Sequence, residues 1–137
     1  MNGYLFDTDA LSQPLKKKPS GLFIHKMEGI RASQQFTSAV TAAEMLYGAH
    51  RLPSSSALLQ QVQAVLASVR ILPFDHQAAS VFGLLRARLE KRGAMVAHSD
   101  LMIASVALSA DLTLITGNTR HFERIPGLRI EDWVHHH

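Results

Sequence analysis

Short apolar runs alternate with longer helical stretches along this chain, and that alternation constrains its fold more than any other feature. Tyr4-Leu5-Phe6 opens the series, three bulky β-formers too few for a helix and followed at once by acids. Phe36 to Val40, Ile71-Leu72-Pro73-Phe74 and Leu112 to Thr116 repeat the pattern, and a last short strand follows at Ile130, before Trp133. Pro73 places its run at a sheet edge or a strand end. Between the runs, Ala10 to Lys18 reads as a short helix or turn, and Gly21 to Ile30 as a weak helix interrupted by Gly29. Thr41 opens a helix to about Arg51, and Pro53 starts another with Leu58, Leu59, Val62, Val65 and Leu66 on one stripe. Asp75 caps a helix that stops at Gly93, and Ser99-Asp100 begins the most apolar one, Leu101 to Ala110. That last helix has almost no polar face and must be buried.

Strands alternating with helices imply a mainly parallel sheet covered on both faces, an α/β/α sandwich. The 137 residues, 47% of them apolar, suit one domain with a real core. No repeat, linker or low-complexity segment divides it. The domain is expected to span residues 1–134, with His135-His136-His137 read as a purification-tag remnant.

Several function classes drop out. Without cysteine there is neither a disulfide framework nor a thiolate metal site. No apolar run approaches the roughly 20 residues of a membrane helix, so no membrane role is expected and the protein reads as cytoplasmic. His25, His50, His76, His98 and His121 show no zinc-like spacing and read as surface or packing residues. The net charge of +3 permits a polyanionic partner without requiring one.

The acids are the informative residues. Asp7 ends the first strand, where an acid either caps the next turn or faces a site outside the carboxyl edge of the sheet. Glu44 follows Thr41 by three, the spacing of a capping box, in which its carboxylate would turn back to the Thr41 N–H. Asp100 stands in the first turn of the buried helix, as a cap or aimed outward, and Asn118 ends a strand. In a parallel α/β sheet, strand ends and the helix starts after them share one edge, so these four side chains can gather in one cleft. Clustered carboxylates repel and drift towards protonation unless a cation offsets them. A hard divalent ion does so, and magnesium in particular takes few carboxylates, with water and phosphate oxygens completing its shell. No serine or cysteine nucleophile with a base at hand competes. The chemistry implied is metal-assisted phosphoester hydrolysis by an activated water.

Four stretches, Leu5-Phe6-Asp7-Thr8-Asp9, Thr41 to Ala49, Ser99 to Ala104 and Ile115-Thr116-Gly117-Asn118, occur in order with a tail running from Arg120 to Trp133. Together they resemble the PIN domain, and within it the VapC toxins of toxin–antitoxin pairs, over nearly the whole chain. The resemblance implies a magnesium-dependent endoribonuclease, with Mn²⁺ as a substitute ion, held in check by a VapB-type antitoxin and working as a homodimer. Asp7, Glu44 and Asp100 match the family's acidic triad. Asp7 and Asp100 are then the surest metal ligands, and Glu44 binds metal directly or through a water and helps orient or deprotonate the nucleophile. Asn118 stands where many PIN domains carry a fourth acid, which weakens a second metal site. Asp9 replaces a commoner Asn and reads as a cap. The substrate implied is structured cellular RNA, transfer RNA or ribosomal RNA loops.

Thr8, Ser38 and Thr116 sit beside the expected site, where a hydroxyl either holds a water or phosphate oxygen or caps a helix. Lys16, Lys17, Lys18, Arg86 and Arg120 are basic candidates for backbone contact, although lysine runs commonly form a solvated face and late-helix cations suit the helix dipole. Two other readings stand beside this one. Asp7-Thr8-Asp9 resembles the DxD opening of haloacid-dehalogenase phosphatases, with Asp7 as nucleophile, but Gly117-Asn118 replaces the late acids that family needs. The other is a PIN-like module that only binds, against which three intact acids argue.

Overall fold

The structure, a computed structural model, describes residues 3–52 and 56–135, so the expected helix start at Pro53 lies outside the described residues. Among them, five strands form one all-parallel sheet: β1 (Tyr4–Phe6), β2 (Gln35–Ser38), β3 (Arg70–Leu72), β4 (Thr113–Ile115) and β5 (Ile130–Glu131). Six α-helices accompany them: α1 (Thr8–Leu11), α2 (Gly21–Glu28), α3 (Ala39–His50), α4 (Ser56–Ala67), α5 (His76–Lys91) and α6 (His98–Ser109). The strand order β3-β2-β1-β4-β5 puts β3 at an edge, as Pro73 implied, and β1 at the centre.

An all-parallel sheet needs cover on both faces, and alternation along β1 shows both. Leu5 joins Leu85, Leu89, Leu101, Ile103 and Leu114 in the core beneath α5 and α6. Phe6, one residue on, packs with Phe23, Met45, Val62, Leu66 and Trp133 in a second core beneath α2, α3 and α4. The expected α/β/α sandwich is present. α6 buries Leu101, Ile103, Ala104, Val106 and Ala107, as its missing polar face required.

Three local expectations are corrected. α3 begins at Ala39, because Ser38 at the end of β2 keeps an extended backbone and its hydroxyl accepts the Thr41 N–H at 3.1 Å. Thr41 is thus inside the helix, and Glu44 forms no capping box with it. α1 begins at Thr8, earlier than expected, because Asp7 caps it; a 3-10 turn at Gln13–Leu15 follows. Asp9 therefore lies within α1 and caps nothing. At its far end α5 stops as read, with Gly93 at φ +68°.

The chain runs from β1 outward through β2 to β3, then returns to β4 and β5 on the other side of β1. Strand order reverses there, and the carboxyl ends beside such a reversal open into a crevice. Register sets Phe6 opposite Thr37 on one side and Ile115 on the other. The next residues, Asp7, Ser38 and Thr116, lead into that crevice.

Candidate active site

Asp7 is the first residue past β1 and keeps an extended backbone, with its N–H donating to the Ile115 carbonyl at 3.1 Å. Continued alternation turns its side chain to the face of Leu5, where α6 lies. One carboxylate oxygen, Oδ1, accepts the Ala10 N–H at 2.8 Å, and Oδ2 accepts the Thr116 hydroxyl at 2.5 Å. Capping and facing the crevice were alternatives for this residue in the sequence; here Oδ1 caps α1 while Oδ2 is held by Thr116. Only 4% of Asp7 is exposed. Burial pushes its carboxyl from the usual 3.8 up to about 7, the bonds from Thr116 and Ala10 pull back part of the way, and the charges of Asp9 and Asp100 add to the rise.

Asp100 reaches the same crevice from the first turn of α6. The N-cap there is Ala97, with no side-chain cap, so the Asp100 carboxylate is free of capping duty. Burial raises its pKa, nearby His121 lowers it, and Glu44 raises it again by repulsion. The His121 ring nitrogen Nδ1 lies 3.2 Å from Asp100 Oδ2. Glu44 stands in the second turn of α3, where its Oε1 accepts the Thr8 hydroxyl at 2.5 Å. Asp100 thus feels the charge of Asp7 on one side and of Glu44 on the other. Asn118 follows at the edge: its N–H donates to Thr116 Oγ1 at 2.9 Å, and it opens the 3-10 turn Thr119–His121.

The hydroxyls divide. Thr116 orients Asp7, and Thr8 steadies Glu44. Ser38 is fully buried, and its bonds go to Thr41, so it serves the helix cap. Of the basic residues, Lys16 lies 3.7 Å from Asp9, and Arg86 pairs with Glu90 along α5 at 3.5 Å. Lys17 and Lys18 are exposed beyond the 3-10 turn that follows α1, and Arg120 is exposed beside the crevice. With its carboxylate near Lys16 and against Gly117, Asp9 is not bonded to the Asp7 carboxylate, and the phosphatase reading has no support from it. His121 is exposed, in keeping with its reading as a surface residue, and its ring also meets Asp100. Its one legible signal is its place three residues beyond Asn118, on the edge where the acids converge.

The donor set suits a hard cation. Among the described residues no three His, Cys, Asp or Glu side chains are gathered into a ready-made cage. Magnesium does not require one, since it usually keeps several waters and binds through one or two carboxylates. A buried carboxyl held near neutrality, with a second acid repelling it, is the arrangement a divalent charge relieves.

The PIN domain family model matches residues 4–128. The tRNA(fMet)-specific endonuclease VapC of Salmonella typhimurium is 36% identical over 130 residues, spanning 95% of this chain and 97% of that protein. Ribonuclease VapC2 of Haemophilus influenzae is 32% identical over 131 residues, spanning 96% and 98%. The crystal structure of DNA-bound VapBC from Salmonella typhimurium matches with a TM-score of 0.89 at 36% identity, covering 97% of this chain and 99% of that one. On fold, on the order of its acids and on these likenesses, the chain belongs to the PIN domain family, among the VapC ribonucleases.

Proposed function

We propose that this protein is a magnesium-dependent endoribonuclease toxin, cutting transfer RNA or ribosomal RNA and restrained by a VapB-type antitoxin. The observation that carries the reading is the meeting of Asp7, Asp100 and Glu44 at one sheet edge in a chain alike to VapC ribonucleases from end to end. Asp7 and Asp100 would hold the ion, with Glu44 direct or through a water. Bound there, a divalent ion supplies a lowered water pKa and charge compensation for the attacked phosphodiester. The protein side chains do the rest. Thr116 and the Ala10 N–H fix the Asp7 carboxylate in one orientation, so its geometry is set before substrate arrives. Glu44, steadied by Thr8, takes the proton as water adds to phosphorus. The bond from phosphorus to the 3′ oxygen breaks and that oxygen takes a proton from solvent, leaving 5′-phosphate and 3′-hydroxyl ends without use of the 2′-OH.

The solved Salmonella relative is a DNA-bound VapBC, which supports an antitoxin partner for this chain as well. A homodimer is expected from the family resemblance, and light scattering tests it. No helix among the described residues is long and apolar enough to cross a membrane. The deciding experiment incubates the purified protein, freed of antitoxin, with RNA and Mg²⁺ or Mn²⁺. Cleavage that chelator stops, and that Asp7→Asn and Asp100→Asn each abolish in folded protein, is the expected result. Cleavage indifferent to chelator, or none at all, refutes the proposal.

A further inference from the structure

The turn after β4 carries a nitrogen base into the acidic centre. Asn118 opens the 3-10 turn Thr119–His121, and the His121 N–H closes it on the Asn118 carbonyl at 3.0 Å. His121 therefore stands one turn beyond the residue that replaces a fourth acid, and both border the same cavity. Phe122, next in the chain, is buried in the core beneath α5 and α6 and anchors the turn. The His121 ring itself lies outside that core, tilted 41° to Phe122, with its side chain 58% exposed. A hydrated ion can reach it.

The distance from His121 Nδ1 to Asp100 Oδ2 is 3.2 Å. Two donors bound to one ion at about 2.0–2.2 Å stand roughly 3.0–3.4 Å apart at octahedral or tetrahedral angles. The nitrogen and the oxygen are thus already spaced as neighbouring ligands of a single ion. Asp100 and His121 also border a common cavity of about 360 Å³, ample for an ion and waters at roughly 30 Å³ each. The two donors differ in what they favour. Carboxylate and water oxygens suit magnesium, whereas imidazole nitrogen suits the ions from iron to zinc.

Resting on the metal centre proposed above, we propose that His121 is a nitrogen ligand beside Asp100, so that the centre takes a cobalt- or zinc-type ion in preference to magnesium. Magnesium still binds, through the carboxylates alone. His121 supplies no negative charge where the fourth acid is missing; it supplies a softer donor instead. The substitution at Asn118 then changes which ion the centre selects.

The test is calorimetric titration with Co²⁺, and with Mg²⁺ in competition, alongside the visible absorption of the bound cobalt. His135→Ala, His136→Ala and His137→Ala are present in every protein compared, so that the terminal histidines take none of the probe. His121→Ala should raise the Co²⁺ Kd at least about tenfold, the lower end of what even an outer-shell partner of a metal is worth. Its Mg²⁺ Kd should stay the same or fall, and the cobalt bands should move to longer wavelength as a nitrogen donor is lost. His121→Glu should tighten Mg²⁺ and lose the preference for cobalt. A charge effect of His121 on Asp100 acts alike on two divalent ions and cancels in the ratio of their Kd values. An unchanged ratio in His121→Ala, with Asp100→Asn abolishing the binding of both ions, overturns the ligand assignment and leaves the metal centre standing. Co²⁺ that stays bound in Asp100→Asn is held elsewhere, and the proposal is again overturned. A parent protein that binds neither ion overturns the metal centre and this proposal with it.

Discussion

Replacing Asp7 by asparagine should make the metal-free protein more stable at neutral pH while destroying its activity. The carboxyl is buried and its pKa rises from 3.8 in the unfolded chain to about 7 in the fold. A group whose folded pKa is raised contributes stability that is complete below the unfolded pKa and is lost as pH climbs through the folded one. At about 1.4 kcal/mol per pH unit, the loss between pH 4 and 7 comes to about 4 kcal/mol and levels off above. Asparagine stays neutral throughout. Its carbonyl oxygen can keep the Ala10 N–H bond, and its amide faces the Thr116 hydroxyl, which must turn from donor to acceptor while still accepting from Asn118. Rearranging that hydroxyl costs about 1 kcal/mol. Urea unfolding of both proteins in chelator, from pH 4.5 to 8, measures the difference directly. The variant should be level with or slightly below the wild type in acid and gain about 3 kcal/mol on it by pH 8. Titrating groups that do not interact with Asp7 cancel between the two proteins, while Asp9 and Asp100, whose charges add to its rise, are relieved together with it in the variant. A stability difference that does not change with pH would refute the claim that burial holds this carboxyl near neutrality.

Other outcomes follow from the same geometry. Mg²⁺ should raise the melting temperature of the wild type at pH 8 and have little effect on Asp7→Asn, since the ion relieves a charge the variant lacks. His121→Ala should move the Asp100 pKa further up, because His121 lowers it now; the acid limb of the pH–activity profile then shifts to higher pH, and carboxyl NMR follows the group itself. Ser38→Ala should cost about 1 kcal/mol of stability through the lost α3 cap, measured by urea unfolding. Gly117→Ala should cost no more than about 1 kcal/mol, since the Asp9 carboxylate can swing aside from the new Cβ and the Val134 side chain need give only slightly; a thermal melt checks it.

The fold was legible because burial leaves a periodic trace. Leu5 and Phe6 serve opposite cores, α6 has no polar face, and both facts are visible as runs of apolar residues. The site was legible for a different reason: strand ends and helix starts mark one sheet edge, and Asp7, Asp100 and Asn118 occupy such positions. What escaped was the choice among chemically equivalent partners. Ser38 and Thr41 are both competent caps three residues apart, and only the extended backbone at Ser38 decides between them. Glu44 is paired with Thr8, 36 residues away, a contact no local spacing encodes. His121 meets Asp100 through the turn after β4, and nothing in its neighbourhood distinguishes it from a surface histidine.

The central place of β1 has a temporal consequence. β1 precedes the other described strands and brings Asp7, while the orienting Thr116, just past its neighbour β4, comes 109 residues later. Pairing of such distant segments is slow to form, because the loop entropy must be overcome before any contact rewards it. A nascent or truncated chain ending before α6 holds Asp7 and Glu44 but lacks Asp100, Thr116 and the turn carrying Arg120. On the proposed reading of the acids, such a chain holds an incomplete centre. That centre is complete only once α6 and β4 have docked beside β1.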